Sequence, residues 1–284
     1  MADFHLHLIS DATGETVQSV SRACLVQFEN VTPVEHLWTL VRTERQVEKV
    51  ITGIEKSPGL VLFTVVDEEI RDQLQDACRR IGVPCVSVLQ PIMMALGHFL
   101  KAEGHAEPGR QHVLSSEYYA RIAAMDFAMA HDDGQATWNL EEADVVLVGV
   151  SRTSKTPTCI YLANRGIKAA NIPLVTGVPI PDEVFTLKKP LVVGLTKDTK
   201  SLVQVRRNRL KMLNNDDDTP YADPDSVEAE VTQAKRLFTR HGWPVIDVTR
   251  RSIEETAAAI MNLRTLRQEV INPSNGEAGS GTAA

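Results

Sequence analysis

The sequence predicts an α/β protein built on mainly parallel sheets, and three features carry that expectation. Apolar runs of strand length alternate with longer stretches of helical period along almost the whole chain. The connections between them are short. One run, Val145–Val150, is almost entirely apolar and β-branched, as suits a strand covered on both faces. At 284 residues the chain can form one large domain or two ordinary ones.

In the first half, strands are expected near residues 4–9, 34–41, 60–66 and 85–89. Helices fall between them near 15–27, 44–56 and 68–81. The last is typical: Ile70, Leu74, Ala77, Cys78 and Ile81 recur at three- and four-residue steps with charged residues between. A second series starts near Ala143, with the strand Val145–Val150, a helix near 155–164 and strands near 172–175 and 191–195. A basic helix near 202–213, a helix near 227–241, a strand near 245–248 and a helix near 253–269 complete it. The segment 131–139, rich in Asp and Gly, is the expected boundary, giving an N-terminal α/β domain over 1–135 and a second over 136–271. Residues 272–284 are small and polar and are expected to be disordered. No internal repeat is evident.

Composition narrows the function. Hydrophobic residues make up 43% and charged residues 24%, an ordinary globular balance. The formal net charge of −7 argues against a general nucleic-acid binder, which would present a basic surface. Cys24, Cys78, Cys85 and Cys159 lie far apart, with no CxxC pair and no zinc-site spacing, so reduced thiols are expected. The N-terminal MADFHLHLISD has no signal-peptide pattern, and no uncharged apolar run approaches the ~20 residues of a membrane span. A cytoplasmic protein is expected. The sequence is silent on oligomeric state, and a homo-oligomer is compatible with it.

The chemistry concentrates in one loop. After Val145–Val150 comes Gly149-Val150-Ser151-Arg152-Thr153-Ser154-Lys155-Thr156, and then an amphipathic helix. Strand, loop and helix in that order are the context of a Walker A loop, G-x-x-x-x-G-K-[ST], here with Ser154 at the second glycine. Gly149 is expected to let the chain turn off the strand where a side chain would block it. Backbone N–H groups and the helix dipole then favour phosphate. Lys155 supplies a compact cation that can bridge phosphate oxygens. The Thr156 hydroxyl can hold a magnesium ion on the same oxygens. Arg152 adds a planar fork for the moving phosphoryl group. Pro157 fits the first helical turn. Ser154 carries a Cβ and is expected to let the loop wrap less tightly.

The same residues bring a resemblance. GVSRTSKTPTCIYLANRGIKAANIP is similar to the signature of the pyruvate, phosphate dikinase regulatory proteins and of their relatives that regulate phosphoenolpyruvate synthase. SDATGET at 10–16, RIAAMDFAMAHDDG at 121–134, QVRRNRL at 204–210 and GWPVIDVTRRSIEETAA at 242–258 also resemble family segments, in family order. The resemblance implies a P-loop kinase-like second domain. It also implies a bifunctional enzyme that moves the β-phosphoryl group of ADP onto a dikinase threonine, releasing AMP. The second activity removes that group with inorganic phosphate, releasing pyrophosphate. Arg-Thr-Ser-Lys-Thr-Pro is closer to the dikinase group, with the synthase as the other target. A small-molecule P-loop kinase and a non-catalytic nucleotide sensor would use the same loop.

Other candidates have plainer alternatives. Ser10, Asp11 and Thr13 follow the first strand and could cap the next helix or, by the resemblance, contact the protein partner. His5 and His7 share one strand face and are expected to be solvated rather than metal ligands. Asp132 and Asp133 are either turn residues or groups that accept the threonine proton or hold magnesium. Arg206, Arg207 and Arg209 are either a solvated helix face or a lid that brings arginine onto the transferring phosphate. They cannot all face one way, so one should reach the phosphates and another should lie in solvent or pair with Asp216, Asp217 and Asp218. Asp247, at the end of a strand, could organise magnesium or stabilise a turn.

Overall fold

The protein is described from a computed structural model, over residues 2–105, 107–109, 116–136, 138–213 and 219–271. Two compact units divide at Val113 and Leu114, and each is described by itself. This division lies ahead of the boundary expected at 135. The physical reason is the helix Ser116–Ala130, which packs against Lys155–Ala163 and Ala169–Leu174 of the second unit.

The first unit runs β1 (Ala2–Ser10), α1 (Glu15–Leu25), β2 (Val31–Trp38), α2 (Glu44–Lys56), β3 (Gly59–Thr64), α3 (Glu68–Ile81), β4 (Cys85–Ser87) and α4 (Gln90–Leu100). Its four strands are all parallel, in the order β2-β1-β3-β4. Alternation along β1 serves both faces. Leu6 and Leu8 pack with Val17 of α1, while Ile9 joins Phe63, Val50, Ile54 and Leu74 in the other layer. Helix boundaries follow their caps. Thr43 and Gln46 form a capping box at α2, and Asp67 accepts from the Ile70 N–H at 3.0 Å at the start of α3. Gly82, left-handed at φ 80°, ends α3.

Two expectations for this unit are corrected. His7 is fully buried rather than solvated, stacked on His36, with its Nε2 2.8 Å from the Ser57 carbonyl oxygen and its Nδ1 accepting from the Trp38 indole. Nor do Ser10, Asp11 and Thr13 cap α1: Gly14 holds the N-cap position and no side chain caps the helix. Ser10 Oγ instead accepts from the Ala12 N–H, and Asp11 Oδ2 from the Val66 N–H at 2.8 Å.

The second unit runs α5 (Ser116–Ala130), β5 (Val145–Val150), α6 (Lys155–Ala163), β6 (Ala169–Leu174), α7 (Glu183–Thr186), β7 (Leu191–Thr196), α8 (Thr199–Met212), α9 (Pro224–His241), β8 (Val245–Asp247) and α10 (Ile253–Ile271), with short 3₁₀ turns at Asp132–Gly134 and Leu140–Glu142. Its sheet is again wholly parallel, in the order β6-β5-β7-β8. Every residue of β5 and β7 is buried. Val145 and Leu147 face Leu162, Ala257 and Ile260, and Val146 and Val148 face Leu202, Val231 and Phe238. Helices therefore cover both faces, which is why the β5 sequence shows no polar alternation.

The two units share one strand order although their sequences show no repeat. In each, the first strand is internal and the chain departs to one side of it and later returns to the other. Ligands of open α/β sheets bind at such a switch point, beyond the carboxyl ends of the strands. In the second unit the loop after β5 occupies it. Among the described residues no helix is long and apolar enough to cross a membrane. All four cysteines are free.

Candidate functional site

Gly149 pairs with Leu195 on β7. A Cβ there would lie 2.6 Å from the Leu195 carbonyl oxygen and 2.9 Å from the Thr153 hydroxyl, so only glycine fits. The sharp reversal is made elsewhere, by Arg152 at φ 71° and Ser154 at φ 60°. Gly149 is thus required for close approach, not for a left-handed turn.

Ser154 takes the left-handed conformation that a glycine would adopt freely, so the loop closes in spite of the Cβ. A side chain in this conformation stores strain of about 1 kcal/mol. Ser154→Gly is therefore expected to raise stability by up to ~1 kcal/mol, less the extra unfolded-state entropy of glycine. Urea unfolding checks this, and a lower midpoint would contradict it.

Helix α6 begins at Lys155 with no side-chain cap. Its first N–H groups are left for a ligand, with the positive end of the dipole behind them. Lys155 is 5% exposed, and its Nζ donates to the Val150 carbonyl at 3.0 Å. The Thr153 hydroxyl donates to the same oxygen at 2.9 Å. Burial lowers the Lys155 ammonium to about 8, against the attraction of Asp133 and Asp132.

That value gives a pH dependence with a definite sign. Unfolded, Lys155 holds its proton to about 10.5, whereas folded it releases it near 8. Stability of the ligand-free protein should rise with pH between those values, where the unfolded state binds more protons. Phosphate needs the ammonium form, so affinity for inorganic phosphate should fall by about tenfold per pH unit above 8. Calorimetry in buffers of different ionisation enthalpy should detect proton uptake at pH 9. Binding with no uptake would contradict the assignment.

Beside the loop, Asp132, Asp133, Thr156 and Asn171 form a linked group. Thr156 Oγ1 donates to Asp132 Oδ1 at 2.9 Å. Asn171 Nδ2 lies 2.6 Å from the same oxygen, 3.1 Å from Asp133 Oδ1 and 3.0 Å from Thr156 Oγ1. The 3₁₀ turn is held by buried His131, whose ring nitrogens lie 2.9 and 3.0 Å from the carbonyl oxygens of Phe127 and Trp138. Asp133 is exposed and strained, at φ 50°. The buried Asn171 Oδ1 has no partner. Hydroxyl and carboxylate oxygens side by side fit a magnesium ion that takes its remaining ligands from phosphate and water. Among the described residues no three His, Cys, Asp or Glu side chains form a metal site.

The three arginines divide. Arg206 is 1% exposed and lies beneath the loop. It donates to the carbonyls of Tyr221 at 2.9 Å and Ser151 at 3.3 Å, and pairs with Glu230 at 2.7 Å. Its guanidinium also stacks over the Tyr221 ring. It is thus a fixed strut in this structure. Arg207 and Arg209 are exposed, and their expected partners Asp216, Asp217 and Asp218 lie outside the described residues. Arg152 is exposed at the mouth of the loop, with Nε 3.3 Å from the Tyr221 hydroxyl, which also lies 3.2 Å from Ser151 Oγ. Asp247 accepts from the backbone and hydroxyl of Thr249, so it stabilises the turn after the edge strand β8.

Asn171, Tyr221 and Glu230 escaped the sequence reading. Asn171 left a signal, a lone amide in the apolar strand AANIPL, since a buried polar group needs partners. Tyr221 and Glu230 left none.

A family model described as kinase/pyrophosphorylase matches residues 6–261. A protein of Paramagnetospirillum magneticum is 59% identical over 278 residues, covering 95% of this chain and 89% of its own. One from Rhodospirillum rubrum is 58% identical over 261 residues, covering 92% and 95%. One from Rhizorhabdus wittichii is 52% identical over 263 residues, covering 93% and 96%. All three carry the provisional name of pyruvate, phosphate dikinase regulatory protein. With a matched region that spans most of the chain, this protein belongs to the kinase/pyrophosphorylase family.

Proposed function

We propose that the protein transfers the β-phosphoryl group of ADP to a threonine of pyruvate, phosphate dikinase, and removes it again with inorganic phosphate. The observation that carries this reading is the phosphate loop 149–156 with the Thr156–Asp132 pair beside it. The names of the relatives favour the dikinase over phosphoenolpyruvate synthase as the target.

The roles follow from position. Lys155 and the N–H groups at the start of α6 hold the phosphates, and Arg152 reaches the transferring group from the mouth of the loop. Thr156 and Asp132 would hold magnesium, which neutralises charge on the phosphate oxygens when bound. Asp132 is already engaged by Thr156 and Asn171, whereas Asp133 is exposed and takes only the longer bond from Asn171. Asp133 is therefore the group assigned to the threonine proton. In the forward direction the threonine oxygen bonds to the β-phosphorus, the bond to the bridging oxygen breaks, and AMP departs. Asp133 accepts the hydroxyl proton. In the second reaction an oxygen of inorganic phosphate bonds to the phosphothreonine phosphorus, and the bond from that phosphorus to the threonine oxygen breaks. Pyrophosphate forms and departs, and Asp133 in its protonated form gives the leaving threonine oxygen a proton.

Purified ADP and purified ATP, each incubated with the dikinase, test the proposal. Phosphothreonine with stoichiometric AMP is expected from ADP alone. Transfer from ATP with release of ADP would overturn it, as would transfer to a small metabolite with none to the dikinase.

A further inference from the structure

A cavity of about 230 Å³ opens between the carboxyl ends of β5 and β6, the connection 175–180, and helix α9. Its walls are mainly apolar, from Val150, Leu174, Val178 and Ile180, with Thr176, Glu230 and Gln233 as the polar residues. The volume is below the ~300–1,000 Å³ of sites that enclose a whole drug-sized ligand. It therefore suits part of a molecule whose remainder lies outside.

The wall is continuous with the phosphate loop at two points. Val150 belongs to both, and Glu230 is tied to the loop through Arg206, which pairs with it at 2.7 Å and donates to the Ser151 carbonyl at 3.3 Å. Around the mouth, Val175 and Val178 are 53% and 61% exposed, apolar surface that a flat ligand would cover. The other cavities on α9, lined by residues such as Asp225, Glu228, Lys235 and Arg236, have charged walls on one helix and no residue of the loop.

We propose that this cavity receives the base of the nucleoside diphosphate whose phosphates lie on residues 149–156, an inference that rests on that reading of the loop. A nucleotide combines an anionic end for the loop with a planar, largely apolar end, and this cavity meets the second need next to the first. Gln233 presents an amide donor and acceptor side by side, which pair with the amino group and adjacent ring nitrogen of adenine. Glu230 bonds Arg206 through Oε2, which leaves Oε1 to accept from a sugar hydroxyl.

Binding of ADP, GDP and inorganic pyrophosphate to three proteins tests this: wild type, Val178→Trp and Gln233→Leu. Both substituted positions are exposed, so the fold should tolerate the changes. Val178→Trp is expected to weaken ADP by about tenfold or more while leaving pyrophosphate binding unchanged, since pyrophosphate needs only the loop. Gln233→Leu is expected to reduce the preference for ADP over GDP by about tenfold. Unchanged ADP affinity in Val178→Trp and unchanged base preference in Gln233→Leu would overturn the inference. So would unchanged ADP affinity with lost transfer to the dikinase, which would give the cavity to the acceptor protein. If wild-type protein bound no pyrophosphate in competition with ADP, the reading of the loop itself would fail, and this inference with it.

Discussion

Lys155→Met is expected to lower phosphoryl transfer by ~100-fold or more in both directions, because one contact to developing charge in a desolvated site is worth that much. The same change should leave the fold intact, and stability should not fall. Methionine keeps the aliphatic stem in its buried position and removes an ammonium that burial disfavours. The Val150 carbonyl loses the Lys155 donor but keeps the Thr153 hydroxyl at 2.9 Å. Three measurements check this: AMP release from ADP, pyrophosphate release from phosphorylated dikinase, and thermal unfolding. A folded Lys155→Met protein that kept more than about a tenth of either activity would remove this loop from the chemistry.

Lys155 could be singled out in the sequence because the pattern that proposes it lies among neighbours in the chain. A phosphate loop is local: strand, reversal, lysine and helix start fall within a dozen residues, and each leaves a mark. The regular elements were legible for the same reason. Helices α2 and α3 and strand β5 begin and end where caps and apolar periods place them. Helix α4 was missed because QPIMMALGHFL is apolar apart from Gln90 and His98, with no polar face to mark a helical period, and it buries none of its residues. Strand β2 starts three residues before the expected position, at Val31, because its register with β1 is set by a partner far away in sequence. The boundary was misplaced for a related reason. The turn at Asp132–Gly134 carries the composition of a linker, but it is folded against β6, with Asp132 bonded to Thr156 and Asn171 and Asp133 bonded to Asn171.

Parts of the site that rest on tertiary contact were not legible. Asp132 was expected as a candidate, but nothing local says that its partner is Thr156, 24 residues away. Ser154 was legible as a departure from glycine, while its left-handed backbone was not. The pattern records which residue is present, and only the closed loop shows what conformation it must take.

The arginine cluster shows the limit most clearly, and it gives the other large expected effect. Density of charge on α8 suggested a lid arginine, and helical spacing suggested that the three would divide. They do divide, with Arg206 buried and Arg207 and Arg209 exposed, but Arg206 is held beneath the loop by fixed partners. Arg206→Ala is expected to cost about 3–5 kcal/mol of stability, because it leaves the largely buried Glu230 carboxylate without its cation. It also removes the donors to the carbonyls of Tyr221 and Ser151. Arg207→Ala and Arg209→Ala, at exposed positions, should stay within ~0.5 kcal/mol of wild type. A compensated variant separates the two contributions of Arg206. Replacing the pair together, Arg206→Met with Glu230→Leu, should recover most of the stability, since apolar groups of similar volume often replace a buried ion pair at no net cost. It should not recover phosphoryl transfer, because the Ser151 carbonyl still lacks the donor beneath the phosphate loop and Glu230 is also lost from the wall of the neighbouring cavity. Urea unfolding measures the first quantity and AMP release the second. If the double variant regained both, Arg206 would serve stability alone; if Arg206→Ala lost neither, the strut would have no energetic weight and a closing lid elsewhere would have to supply the arginine.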